Sequence, residues 1–209
     1  MKRWRFLILI FLTAVFLSQP VGFAATYKID LDHTAVSFKI RHILSFVQGR
    51  FNQFEGSFDY DPEKPETWKA NAVIQTGSID TNVEARDKHL RSADFFDVET
   101  YPTITFKSTE VTDTTPTSAK LNGLLTIHGV EKPAVLDLQI NGVAKDPWGN
   151  VRASFTATTT INRKDFGLTW NKALETGQLL VGEEVVITLE VEGILQEEKS
   201  EDLAAQVSN

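Results

Sequence analysis

From Thr26 onward the chain alternates apolar and polar residues with a period of two, the pattern of strands that turn one face to a core and the other to water. The clearest runs are Val36, Phe38 and Ile40; Leu136, Leu138 and Ile140; Val151, Ala153, Phe155 and Ala157; and Val185, Ile187, Leu189 and Val191. Between them stand turn signals at Asn122-Gly123, Asn141-Gly142 and Asp146-Pro147-Trp148-Gly149-Asn150, which predicts an antiparallel meander. Several predicted strands exceed the usual length of roughly five or six residues, so the sheet must curl strongly or close on itself. Closure into a barrel also removes the exposed edges.

One stretch breaks the period. Thr81-Asn82-Val83-Glu84 matches a capping box, and a helix over 83–92 is expected to follow it. Asp87 and Arg91 stand one turn apart as a favourable ion pair, while Leu90, Phe95 and Phe96 supply an apolar face to seal one end of the barrel. Tyr101-Pro102 then returns the chain to extended structure. Beyond Leu195 the sequence loses both alternation and bulk, so 196–209 is expected to be a polar disordered tail.

The first residues follow a different logic. Lys2, Arg3 and Arg5 precede an apolar run from Phe6 to Leu17, then Pro20 and the small residues Gly22, Ala24 and Ala25. This is the order of a cleavable secretory signal peptide over 1–24, too short for the ~20 apolar residues that a membrane span requires. The expected mature domain is 25–195, periplasmic or secreted.

Composition narrows the chemistry. The 209 residues are 42% hydrophobic with a formal charge of −7, the balance of a folding chain without a basic footprint for nucleic acid. The absence of cysteine excludes thiolate metal sites, iron–sulfur clusters, cysteine nucleophiles and disulfides. No Gly-x-Ser-x-Gly elbow marks a hydrolase, and His33, His42, His89 and His128 show no paired ligand spacing, so no metal site is expected. Asp80 and Asp94 flank the helix but are better explained by capping and loop bonds than as paired acid and base. His42 shares the parity of Val36, Phe38 and Ile40, so it is expected to point inward, toward either a ligand head group or a neighbouring backbone group. The small residues Ala153, Ala157 and Thr159 on one strand face leave room for a cavity, unless phenylalanines from opposite strands fill it.

Four blocks carry a more specific signal: Asp32-His33-Thr34-Ala35-Val36-Ser37-Phe38; Ser78-Ile79-Asp80-Thr81 with the run from Arg86 to Asp97; Tyr101-Pro102-Thr103-Ile104-Thr105-Phe106; and the run from Ile161 to Trp170. A fifth, weaker block runs from Leu125 to Pro133. In this order they resemble the YceI-like family of exported lipid-binding proteins. The resemblance implies a lipocalin-like antiparallel β-barrel of about eight strands with one short capping helix. It also implies an elongated apolar tunnel, occupied in the family by isoprenoid chains or similar amphiphiles. Within that resemblance Arg86, Asp87, His89, Arg91, Arg163, Lys164 and Asp165 are read as helix-docking and loop residues.

The leading expectation is therefore a non-enzymatic carrier or binding protein for a polyisoprenoid or similar long-chain lipid, with no cofactor, no nucleic-acid partner and no stable membrane insertion. The candidate wall is Val36, Phe38, Ile40, His42, Phe58, Ile74, Phe106, Leu125, Leu138, Phe155 and Leu189. A lipid- or quinone-modifying enzyme or redox accessory, and a packed barrel that binds a protein partner, are the alternatives. Homodimerisation is compatible with the sequence.

Overall fold

The structure is a computed structural model that describes residues 25–196. The expected leader, and all but the first residue of the expected tail, lie outside the described residues. Eleven strands are found among them: β1 Ala25–Ile29, β2 Ala35–His42, β3 Ser45–Phe51, β4 Phe54–Tyr60, β5 Lys69–Gln75, β6 Ile79–Asp80, β7 Thr103–Thr112, β8 Ser118–Ile127, β9 Val130–Lys145, β10 Val151–Asn162 and β11 Val181–Leu195. β1 and β2, β3 and β4, and β5 and β6 each continue one another, so the eleven strands make a closed antiparallel barrel of eight staves. Closure runs through β11, which pairs with β2 from Val181↔His42 to Glu190↔Ala35 and then with β1 from Ile29↔Gly193 to Tyr27↔Leu195. Between β1 and β2 the chain steps out of the ladder, and Thr34 Oγ1 restores pairing by donating to the Glu192 carbonyl and accepting from its amide.

Two of the three turn signals fall inside strands. Asn122-Gly123 lies within β8, where the glycine makes room for Phe106: a Cβ at Gly123 would stand 2.5 Å from that ring. Asn141-Gly142 lies within β9, opposite a register shift between Ser154 and Phe155 of β10, with Gly142 at φ 122°. Asn141 Nδ2 there donates to the Ser154 and Thr156 hydroxyls. A bulge and a hairpin turn make the same demand for positive φ, which is why Asn-Gly reads as either. The 146–150 turn forms as expected, with Asp146 accepting from the backbone of Trp148 and Asn150. The β8–β9 hairpin turns at His128 and Gly129, both at positive φ.

The helix, α1, spans Glu84–Arg91. The expected capping box does not form: Val83 occupies the cap position without a side-chain bond, and Thr81 lies before the helix. Thr81 donates from its amide and hydroxyl to Asp87, while Arg86 donates back to the Thr81 hydroxyl and carbonyl. The expected Asp87–Arg91 pair is likewise replaced. Buried Asp87 turns to Thr81, and Arg91 donates to the carbonyls of Gly77 and Ile79, docking α1 onto β6. Desolvating Asp87 is stabilising only with such directed donors, which a surface i,i+4 pair does not supply. No helix among the described residues is long and apolar enough to cross a membrane.

Candidate functional site

The interior is divided. At one end Tyr27, Phe58, Tyr60, Trp68 and Phe155 are all buried and touch in sequence. Tyr27 stacks on Phe58 at 5.2 Å between centroids, and Phe155 meets Phe58 at 5.3 Å and Tyr60 at 5.0 Å edge to face. Trp68 lies 4.7 Å from Tyr60 and donates from Nε1 to the Asp61 carbonyl. Burial raises the Tyr27 and Tyr60 hydroxyls above their ordinary range, so this floor is uncharged at neutral pH.

Ala153 belongs to the floor, packed beneath these rings and filled over, which corrects the expectation that it helps leave the interior open. Thr159, further along β10, is half-buried and faces open space, whereas Ala157 borders the cavity but is itself buried beside Leu121, Leu136 and Leu138. Phenylalanines from opposite strands thus fill one end of the barrel and leave the rest.

Above the floor lies a cavity of about 630 Å³. Every candidate wall residue lines it: Val36, Phe38, Ile40 and His42 on β2, Phe58 on β4, Ile74 on β5, Phe106 on β7, Leu125 on β8, Leu138 on β9, Phe155 on β10 and Leu189 on β11. Phe38, Ile74, Phe106, Leu138 and Leu189 point inward yet are only half-buried, the mark of apolar side chains that face a hollow.

The far end is covered by α1, whose Leu90, with the following Phe96, packs against the core cluster that contains Val36, Phe51, Ile79 and Ile104. Val83 both lines the cavity and is 46% exposed, so the cavity reaches the surface at the foot of α1. The segment between β10 and β11 contributes Arg163, Leu168, Trp170 and Leu180. Period-two reading misses Leu168, Trp170 and Leu180 as wall because that segment has no alternation.

Polar residues border the cavity at both ends, with Ser57, Asp59, Lys69 and Asn71 on β4 and β5 beside the floor and His42, His89 and Arg163 at this end. His89 pairs with Asp94 at 2.8 Å, and its ring meets Phe95 and Trp170 edge to face at 5.0 and 4.8 Å. His42 stands where β2 meets the start of β11. Asp80 and Asp94 have separate duties: Asp80 accepts from Arg50, Asn52 and the Asn82 amide.

Outside the cavity, Asp30, His33 and Glu192 come together in a set with metal-ligand chemistry. The Arg152 guanidinium already bridges Asp30 at 2.5 Å, Glu192 at 2.6 Å and Asp146 at 2.8 Å, so an internal cation organises this cluster.

Comparison with known proteins agrees with this geometry. The model of the YceI-like domain matches residues 27–193. A UPF0312 protein of Pseudomonas putida is 46% identical over 155 residues, covering 73% of this chain and 81% of the relative. Among solved structures, a YceI protein of Campylobacter jejuni superposes with a TM-score of 0.66 at 29% identity, covering 94% of this chain and 100% of the other. A polyisoprenoid-binding domain from Saccharophagus degradans shares the fold with a TM-score of 0.61 at 16% identity, covering 83% of this chain and 99% of that one. The matched domain takes in every stave of the barrel and the helix that covers it: this chain belongs to the YceI-like family.

Proposed function

We propose that the barrel binds one long-chain lipid of the isoprenoid type and that the protein acts as an exported carrier for it. The observation that carries this reading is the cavity itself: about 630 Å³, walled largely by inward apolar side chains and filled by no other group among the described residues. That volume falls within the range of roughly 300–1,000 Å³ typical of small-molecule sites. Each methylene moved from water to such a wall contributes about 0.8 kcal/mol, offset by the ordering of a flexible chain, so affinity should grow with chain length until the cavity is full. The fold shared with the polyisoprenoid-binding domain of Saccharophagus degradans supports the same class of ligand. No covalent chemistry is required.

Export rests on the leader-like order of residues 1–24. The carrier role draws support from the tip of the β2–β3 hairpin, where Leu44 is 89% and Phe46 58% exposed. The Ile43 amide in that tip donates to the carbonyl of Leu180, a cavity-lining residue, so exposed apolar side chains stand beside the end where a lipid would enter.

Titration of delipidated protein with prenols of increasing length tests the binding reading. Trp68 and Trp170 on the wall report it by fluorescence. Saturable one-to-one binding that tightens with length is expected. Absence of binding at every length, or affinity independent of length, would overturn it.

A further inference from the structure

Among the described residues, one buried side-chain polar atom has no hydrogen-bond partner: Nη2 of Arg163. Arg163 is 2% exposed and lines the cavity. Its Nε donates to the Gly182 carbonyl at 2.8 Å and its Nη1 to the Leu168 carbonyl, so the guanidinium is fixed in place by backbone on both sides. Among the described residues no carboxylate within ion-pair distance neutralises it. The nearby Glu183 is engaged by Lys164 instead, and burial pulls the Arg163 pKa below its ordinary value. An unsatisfied buried donor costs about 1–3 kcal/mol, more when it is charged, and folded proteins seldom leave one without a partner. Ile161, Leu168, Val181 and Val185 on the same end of the wall offer hydrocarbon, and neither His42 nor His89 there hydrogen-bonds Nη2.

We propose that Arg163 is the polar anchor for the bound lipid, its Nη2 donating to an oxygen of the head group. The assignment rests on the lipid-binding reading above and adds the ligand's chemistry and direction. The head carries an oxygen acceptor, and the guanidinium's charge ranks an anionic oxygen above a neutral one. Because Arg163 belongs to the end covered by α1, the head lies there and the tail runs toward the floor of Tyr27, Phe58 and Phe155.

The test compares ligands of one prenyl chain length bearing phosphate, quinone, hydroxyl or amine heads, with a fatty acid as the carboxylate arm. Wild-type protein should bind the phosphate at least tenfold more tightly than the amine, with the quinone and hydroxyl between them. Tight binding of the phosphate alone identifies an isoprenyl phosphate, and equal gain for the carboxylate identifies anionic lipids in general. Arg163→Met keeps side-chain bulk and removes the donors; it should still bind the prenol while losing the preference among heads. Arg163→Lys should retain part of the preference for anions.

Equal affinity for all heads in the wild type, or a preference that survives in Arg163→Met, overturns the anchor while leaving lipid binding intact. Should Arg163→Met fail to fold, the wild-type series decides alone. Binding of no prenyl ligand with any head removes the lipid reading itself, and the anchor with it.

Discussion

Asp30 lies against the Arg152 guanidinium, whose hydrogen bond outweighs burial and, with His33 and the Asp32 amide, lowers its carboxyl to about 2 from the ordinary 3.8. A carboxylate depressed in the folded state contributes stability that is present above its unfolded value and lost as the pH falls through the folded one. Melting temperature should therefore fall as the pH drops from about 4 toward 2. Asp30→Asn should melt lower at neutral pH and approach the wild type in acid; parallel melting curves across that window would refute the pairing. Gly193 makes a steric prediction, since a Cβ there would stand 2.5 Å from the Phe58 ring and 2.9 Å from Tyr27 Cβ. Gly193→Ala should lower the stability measured by urea unfolding by about 1–3 kcal/mol, because the locked rings of the floor have nowhere to go.

Residues on regular strands were legible from parity, as the wall positions on β2 and β11 show. Arg163 was not, because a cation in the run from Ile161 to Trp170 looks the same whether it meets solvent, a carboxylate or a cavity. Its partners are backbone carbonyls at Leu168 and Gly182, which no side-chain pattern records.

At the scale of elements, bulges decide which side chains face inward. On β7, Phe106 lines the cavity but Val111, of opposite parity, packs against the floor, because the ladder shifts between Ser108 and Glu110. Parity read straight through would have turned Glu110 to the core. The helix was legible in existence and place, while its docking was not: Thr81, Asp87 and Arg91 are the residues of a cap and an i,i+4 pair, spent instead on joining α1 to β6. The wall of β10 can be tested by filling it. Thr159 pairs with Ile187 on β11, is only half-buried and faces the hollow. In a packed core Thr159→Phe would cost about 1–3 kcal/mol. Here it should leave urea stability within about 1 kcal/mol of wild type and weaken lipid binding at least tenfold. Unchanged binding would place the lipid elsewhere.

For the molecule as a whole, the balance of filled and empty interior sets what the barrel can hold. Period two predicts closure, but it does not say whether phenylalanines meet or stand apart. Phe58 and Phe155 meet and make a floor, whereas Phe38 and Phe106 stand around open space. The floor should fix the longest chain accepted. Phe155→Leu removes ring volume at the base and should shift the preferred prenol to a longer one, at a stability loss of about 1 kcal/mol read by urea unfolding. An unaltered length preference would show that the floor does not limit the chain.

The most direct test of the account is native mass spectrometry of the protein recovered from its own cells, followed by denaturing extraction. A hollow barrel built to hold one lipid predicts a one-to-one adduct that releases a long-chain isoprenoid lipid with an oxygen-bearing head. Protein that is empty when recovered, and remains empty after exposure to prenols and prenyl phosphates, would contradict it.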